Sequence, residues 1–205
     1  MTEFSPLEFL CQRDFVLAKV IKSIGDYSIE THGDPFESLI KSIIYQQLSG
    51  KAANAIYKRL LDHYDGGVPT PDRILATPEE ILRTNIGLSF KKIEYVRDLS
   101  LRVCSGTLDL HLLPGMPDED VIDELVKVKG IGRWTAEMFL IFCLKRPDIM
   151  PLGDLGIRKA IKNLYNLPQI PNPDRILEIS SPWKPYRSIA AWYLWKSLAN
   201  FDSIG

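Results

Sequence analysis

The feature that most constrains the fold is a segment, residues 125–161, in which two glycines separate two apolar helical patterns. It begins LVKVKGIGRWTAEMFLIF and ends PLGDLGIRKAI, where Asp154 precedes a third helical pattern. Gly130 can adopt the positive φ that ends a helix, and Gly132 leaves the first free N–H groups of the next helix accessible. The pattern predicts two helices joined by a tight turn. Taken alone, a Gly-x-Gly spacing is more typical of a plain helical hairpin than of a binding site.

Free N–H groups and the positive end of the helix dipole attract anions, so the turn is a candidate site for a DNA phosphate. Such a contact reads no base sequence. Residues 125–162 contain eight basic and three acidic side chains, a local charge of +5, although the whole chain carries −1. A locally positive segment on a nearly neutral protein suits a compact contact with phosphates. The alternative is that these side chains only form solvated helix faces.

The rest of the chain is typical of an all-α protein, because apolar residues recur at helical spacing and no long segment alternates with a period of two. Pro and Gly divide it into about ten predicted helices. Predicted helix starts or spans are Ser5–Ile24, Asp34-Pro35, Thr70-Pro71, Thr77-Pro78, Phe90–Val103 and Asp120–Val128. Glu80 lies three residues after Thr77, which predicts a capping box at that start.

Composition and cysteine spacing exclude several classes of protein. The chain has 205 residues, of which 45% are hydrophobic and 25% charged, so disorder is not expected, and no apolar run reaches the roughly 20 residues that span a bilayer. The N-terminus lacks the basic region of a secretory signal. Cys11, Cys104 and Cys143 have no CxxC spacing, which argues against a disulfide framework, a zinc site and an iron–sulfur cluster. We interpret the chain as a reduced intracellular protein with no membrane partner.

The hairpin and its surroundings resemble the helix-hairpin-helix, Gly/Pro-Asp superfamily of DNA glycosylases, and within it the alkylpurine glycosylases of the AlkA and yeast Mag type. The resemblance rests on the two quoted stretches, with Asp154 22 positions after Gly132, and on SIIYQQLSGKAANAIYKRL and PWKPYRSIAAWYLWK. It implies two helical lobes with the active cleft between them. The hairpin lobe would be residues 34–147. Residues 1–33 plus 148–205 would form the second lobe, carrying the catalytic aspartate and a Trp-rich C-terminal helix.

By this resemblance Asp154 falls on the catalytic aspartate of the family. The residues alone make Asp154 a favoured N-cap for a helix over Leu155–Leu164, and the two roles are compatible. Gly153 replaces the first acid of the Asp-Asp pair that is common in the family. Trp134 stands where bifunctional relatives carry a lysine nucleophile, so the resemblance implies neither a Schiff base nor strand cleavage.

The family holds a flipped base on aromatic faces, and the resemblance implies that Trp134, Trp195 and Met138 line this base pocket. A cationic alkylpurine stacked on indole gains about 1–2 kcal/mol when desolvated. From composition alone, the four tryptophans are more typical of a core. Met138 stands where AlkA has a tyrosine.

Residues that would contact DNA are also implied by the resemblance. Gln47, Leu48 and Ser49 fall on wedge and minor-groove positions, with Gln47 in the gap left by the flipped nucleotide; its alternative is an exposed loop amide. Ser49 stands where the yeast Mag type has a histidine and AlkA has a serine. The implied phosphate-binding residues are Lys51, Gly130, Gly132, Arg133 and Thr135. The main-chain carbonyls of Val126, Val128 and Ile131 fall where the family coordinates a structural Na⁺ or K⁺ ion, and no cofactor is implied for catalysis.

The implied function is that of a monofunctional DNA glycosylase of base excision repair, which hydrolyses the N-glycosidic bond of 3-methyladenine-type purines in double-stranded DNA. Alkylation already makes the base a good leaving group, so one carboxylate can suffice: Asp154 would stabilise the oxocarbenium-like sugar and orient a water. The alternatives are a homologue that binds abasic or distorted DNA without excision and an unrelated helical interaction protein. We expect a monomer, nuclear in a eukaryote and otherwise in the cytoplasm or nucleoid.

Overall fold

The structure is a computed structural model that describes residues 5–28 and 33–198. The described residues form helices and turns without a strand, which confirms the all-α prediction. The α-helices are α1 Pro6–Arg13, α2 Phe15–Ile24, α3 Pro35–Tyr45, α4 Gly50–His63, α5 Pro71–Ala76, α6 Phe90–Cys104, α7 Asp118–Leu125, α8 Arg133–Phe142, α9 Leu155–Leu164, α10 Pro173–Ser180 and α11 Arg187–Lys196. None of the helices in these residues combines the length and apolar character needed to cross a bilayer.

The chain divides into two compact units. The terminal unit comprises Met1–Glu30 and Lys145–Gly205, and the central unit comprises Thr31–Leu144. Residues 1–4, 29–32 and 199–205, which the predicted second lobe includes, lie outside the described residues. The assignment of separate functions to two lobes, with a cleft between them, stays a prediction.

The terminal unit is built around α11, which packs against α2 and α9. Every residue from Ala190 to Trp195 is buried, so this helix is enclosed on all sides rather than amphipathic. In the central unit, α8 packs against α7 and α3, and α6 packs against α5 and α3. Consequently α8, the helix after the Gly-x-Gly turn, has a fixed position within its own unit.

The prediction of one helix over Ser5–Ile24 is wrong, because the chain breaks at Asp14 into α1 and α2. Asp14 has an extended backbone (φ −147°), and its Oδ1 accepts a hydrogen bond from the N–H of Leu17 at 2.9 Å, which caps α2. Its Oδ2 accepts from the Tyr165 hydroxyl at 2.6 Å and from the Trp183 indole N–H at 2.9 Å. These distant partners stabilise a break that helical periodicity alone does not reveal.

The predicted capping box at Thr77 is also wrong. Thr77 is the C-cap of α5, and its hydroxyl donates to the Arg73 carbonyl at 2.8 Å and hydrogen bonds with the Tyr64 hydroxyl. The chain continues into a short π-helix, Ile81–Ile86, which ends at Gly87 with φ +91°. The threonine hydroxyl therefore closes the preceding helix instead of opening the next one.

The predicted starts at Asp34-Pro35, Thr70-Pro71 and Phe90 are confirmed by α3, α5 and α6. The span Asp120–Val128 is shifted, because α7 begins at Asp118, directly after Pro117, and ends at Leu125. Acidic residues in its first turn suit the positive end of the helix dipole.

Candidate functional site

Asp154 lies in the terminal unit, immediately before α9, and its predicted N-cap role is confirmed. Its Oδ1 accepts a hydrogen bond from the N–H of Ile157 at 2.7 Å. The preceding turn is closed by the N–H of Asp154 itself, which donates to the Pro151 carbonyl at 3.1 Å. The side chain is largely buried, with only 8% of the residue exposed. The sequence therefore places a carboxylate at the start of α9 in a defined orientation.

Trp195 on α11 contacts the same carboxylate. Its indole Nε1–H donates to Asp154 Oδ1 at 2.9 Å, so this oxygen accepts one backbone and one indole donor. Trp195 is fully buried. The base-pocket role implied for Trp195 stays a prediction, and the hydrogen bond to Asp154 is a contact that sequence reasoning missed.

Gly156 in the first turn of α9 is a second feature that sequence reasoning missed. A Cβ at this position would lie 2.9 Å from Asp154 Oδ1 and 3.2 Å from Cδ1 of the Trp195 indole. Glycine inside a helix is about 1 kcal/mol less favourable than alanine. A glycine in the first helical turn, directly after a capping aspartate, could therefore have indicated from sequence that another side chain packs closely at this position.

The hairpin of the central unit requires glycine at residue 130 for two reasons. Gly130 has φ +80°, as predicted, and a Cβ there would lie 2.1 Å from the ring of Tyr95. Gly132 is the N-cap of α8 and offers no side chain that could cap the helix, and the space beyond its Cα is open. The first turn of α8 can therefore present backbone N–H groups to an anion.

Side chains of other helices hold this hairpin. The N–H of Lys129 donates to Asp98 Oδ2 at 2.9 Å, and Gln46 Nε2 donates to the Gly130 carbonyl at 2.8 Å. Burial works to raise the pKa of Asp98, but hydrogen bonds from Lys129 and Arg102 outweigh it and hold this pKa below its usual value. Because these contacts are long-range, neither Gln46 nor Asp98 could be found from local pattern.

Ion pairs with nearby acids partly neutralise the positive charge of the hairpin. Arg133 makes a bidentate ion pair with Glu119, at 2.7 and 2.9 Å, and a third contact with Glu137 at 3.2 Å. Lys127 and Lys129 pair with glutamates at 2.6 and 2.7 Å. The pairs with Glu119, Glu124 and Glu94 are at least partly exposed and therefore weak, so a phosphate can compete for the same cations. The local charge counted in sequence nevertheless overstates the free positive charge.

The predicted wedge residues lie in the loop between α3 and α4. Gln47 has a positive φ of 56° and is exposed, as are Leu48 and Ser49. The hydroxyl of Ser49 accepts from the N–H of Ala52 at 3.4 Å and so caps α4. Lys92 Nζ donates to the carbonyl of Ile44 at 2.6 Å, near the end of α3. The loop is thus a short, anchored turn with an exposed tip.

The other predicted site residues of the central unit differ in accessibility. Trp134 is 44% exposed, whereas Met138 and the side chain of Thr135 are buried. Lys51, in the first turn of α4, is exposed. Trp134 therefore has accessible surface, whereas Thr135 has very little.

The three carbonyls predicted to hold an alkali cation belong to the turn between α7 and α8. The Val128 carbonyl accepts a hydrogen bond from the N–H of Ile131 at 3.1 Å, and its second lone pair remains available to a cation. Main-chain carbonyls are the kind of ligand that alkali cations accept, so the donors are of the right chemical type, and the site itself stays a prediction. Among the described residues, no group of three or more His, Cys, Asp or Glu could hold a metal ion.

Comparison with known proteins identifies the family. The model of the HhH-GPD superfamily of base excision DNA repair proteins matches residues 40–185. The chain belongs to this superfamily, as its sequence resemblance indicated.

Individual relatives agree with this assignment. The chain is 40% identical over 185 residues to DNA-3-methyladenine glycosylase 1 of Schizosaccharomyces pombe, an alignment that covers 87% of this chain and 80% of that protein. It is 32% identical over 197 residues to a DNA-3-methyladenine glycosylase of Saccharomyces cerevisiae, with coverage of 80% of this chain and 66% of that protein. A solved structure of an S. pombe 3-methyladenine DNA glycosylase in complex with abasic DNA superposes with a TM-score of 0.84 at 37% identity, covering 95% and 97% of the two chains.

Proposed function

We propose that this protein is a DNA glycosylase of base excision repair that removes alkylated purines of the 3-methyladenine type. The observation that carries the proposal is the Asp154 carboxylate, held at the N-cap of α9 by two donors at 2.7 and 2.9 Å. This site lies in a chain that is 40% identical to a DNA-3-methyladenine glycosylase.

In the proposed reaction the damaged nucleotide leaves the duplex and its cationic base departs with the electrons of the glycosidic bond. The negative charge of Asp154 stabilises the oxocarbenium-like sugar, and its carboxylate orients a water and accepts a proton as that water attacks the sugar. The products are the free base and an abasic site. Because the base is already cationic, the step needs no second carboxylate as general acid. Residue 134 is a tryptophan and not the lysine nucleophile of bifunctional relatives, so we propose hydrolysis without strand cleavage.

The central unit would bind the DNA. Backbone N–H groups from Gly132 to Thr135 would contact a phosphate, with Arg133 exchanging Glu119 for that phosphate. The exposed tip at Gln47 would enter the gap left by the flipped nucleotide, and Trp134 would offer its exposed ring to the base.

An alkali cation, held by the carbonyls of Val126, Val128 and Ile131, would supply positive charge for the phosphate contact. Lys51, Leu48 and Ser49 would contact the backbone and minor groove, and Met138 would contribute apolar surface. For localisation we propose the nucleus in a eukaryote.

Asp154→Asn tests the proposal, because Asn is also a good N-cap and its amide oxygen can still accept from Ile157 and Trp195. We expect single-turnover release of 3-methyladenine from a methylated duplex to fall by about 100-fold or more, with unchanged affinity for a duplex holding an abasic analogue. Release at the wild-type rate would refute the catalytic role.

A second candidate function is binding of abasic DNA without excision. It is favoured by two observations: Trp195, an implied base-stacking residue, is completely buried, and the hairpin of the central unit keeps an open N-terminus at α8. Tight binding of the abasic duplex by a wild-type protein that releases no methylated base would select it.

A further inference from the structure

We propose that Trp195 is a positioning residue, whose indole N–H orients the Asp154 carboxylate, and that Gly156 is required because it leaves room for that indole. The proposal deepens the proposed function and rests on Asp154 being the catalytic carboxylate.

The hydrogen bonds at Asp154 converge on one oxygen. The N–H of Ile157 and the Nε1–H of Trp195 both donate to Oδ1, at 2.7 and 2.9 Å. Hydrogen bonds to an ionised acceptor are short and strong. An N-cap bond alone permits the carboxylate to turn, whereas a second donor from a different helix restricts that rotation. Trp195 thereby specifies which way the carboxylate plane faces.

The burial of Trp195 supports a positioning role. It is among the largest fully buried side chains of the protein, and it lies on the helix that packs against α9. The indole N–H of this buried side chain contacts the carboxylate directly. The indole therefore acts on the reaction through Asp154.

Gly156 is the residue that allows this contact. A Cβ there would approach Asp154 Oδ1 to 2.9 Å, Trp195 Cδ1 to 3.2 Å and Trp195 Nε1 to 3.4 Å. It would thus press on both members of the hydrogen bond. Alanine is otherwise a better helix former than glycine, so a loss of activity on Gly156→Ala would not follow from helix propensity.

The terminal unit contains a matched control for Trp195. Trp183 is also fully buried, and its indole N–H also donates at 2.9 Å to an N-cap aspartate, Asp14. Trp183→Phe therefore removes the same kind of group and the same kind of hydrogen bond, at a residue with no part in the proposed chemistry.

The experiment compares Trp195→Phe, Trp183→Phe, Gly156→Ala and the double variant Trp195→Phe/Gly156→Ala. Single-turnover release of 3-methyladenine is measured across pH at saturating protein, and titration with an abasic-analogue duplex gives the active fraction. We expect Trp195→Phe and Gly156→Ala each to lower the rate about 10- to 100-fold. The indole donor stabilises the negatively charged carboxylate, so its loss should move the acid limb of the rate profile to higher pH.

The remaining arms have distinct expected results. Trp183→Phe should keep the wild-type rate per active molecule and the wild-type pH profile. The double variant Trp195→Phe/Gly156→Ala should be no slower than the slower of the two single variants. Trp195→Phe has already removed the Nε1 donor, so the Cβ that Gly156→Ala adds has no hydrogen bond left to displace. If Trp195→Phe does not fold, Gly156→Ala carries the same rate and pH test.

Several outcomes would overturn the proposal. Wild-type rates and an unmoved acid limb in Trp195→Phe and Gly156→Ala would do so, as would equal losses in Trp195→Phe and Trp183→Phe. A loss of rate with no pH shift and an equal loss of abasic-duplex affinity would assign Trp195 to DNA binding instead. If Asp154→Asn excises normally, the proposed function fails first, and that result is independent of these variants.

Discussion

Two aspartates of the terminal unit, Asp14 and Asp154, share the same local design but differ in how their oxygens are used. Each caps a helix, and each accepts an indole N–H at 2.9 Å. At Asp14 the backbone donor and the indole use different oxygens, and the Tyr165 hydroxyl adds a third bond at 2.6 Å. At Asp154 the backbone and indole donors converge on Oδ1. A capping aspartate that accepts an indole N–H thus stabilises helix packing at Asp14 and, in our proposal, takes part in catalysis at Asp154.

The surroundings of Asp14 show that it is structural. Burial and the neighbouring carboxylate of Asp14 raise the pKa of Tyr165, which keeps the tyrosine a neutral donor. Trp183 and Tyr165 lie far from Asp14 in sequence, so the carboxylate joins the start of α2 to the end of α9. The comparison shows that donors from distant helices determine how a capping aspartate is held.

The largest effect should come from replacing each aspartate by alanine and measuring excision. We expect Asp154→Ala to lower single-turnover release of 3-methyladenine by about 100-fold or more. Asp14→Ala should leave the rate per folded molecule unchanged, because the donors to Asp14 have no part in the proposed chemistry. A comparable loss in both variants, after correction for the folded fraction, would remove the distinction between the two residues.

A measurement of stability tests the structural role of Asp14 directly. Asp14→Ala removes a cap and leaves the Tyr165 hydroxyl and Trp183 indole without an acceptor, so the free energy of unfolding should fall by about 2–4 kcal/mol. Asp14→Asn, which retains acceptor capacity, is the matched control and should lose less. Urea unfolding followed by circular dichroism measures both. Equal stability of Asp14→Ala and the wild type would contradict the structural role.

A third aspartate, Asp98, extends the comparison to the hairpin. Its lowered pKa means that its stabilising contacts are fully present above the ordinary carboxyl pKa and are lost as pH falls through the lowered value. We expect Asp98→Asn to lower the free energy of unfolding by about 1–2 kcal/mol at neutral pH, and to weaken abasic-duplex binding. The wild-type and variant stabilities should converge in acid. A difference that persists there would exclude ionisation of Asp98 as its source.

The smallest effect concerns Glu119, an exposed acid that neither caps a helix nor contacts an indole. Glu119→Gln releases Arg133 from an ion pair worth about 0–1 kcal/mol, so affinity for the abasic duplex should rise a few-fold at low salt. Arg133→Gln should lower affinity and reduce the salt slope by about 1. An unchanged salt slope would show that Arg133 does not contact a phosphate.

Features that depend on neighbouring residues could be predicted from sequence. Helical spacing identified the all-α class, although it also hid the break at Asp14, because apolar residues continue in phase across it. The positive φ of Gly130 and the N-cap at Asp154 were predicted because each depends on a few adjacent residues. The capping box at Thr77 failed because the threonine hydroxyl found an acceptor on the preceding helix.

The helical class, the Gly130 turn and a carboxylate at the start of α9 could all be predicted from sequence, since all follow from local backbone preference. The contacts of that carboxylate depend on how the helices pack. The indole donor to Asp154 lies 41 residues away, and the donors to Asp14 lie 151 and 169 residues away. Such partners meet only when helices pack, and packing also explains why Gly156 must lack a Cβ and why Glu119 neutralises Arg133.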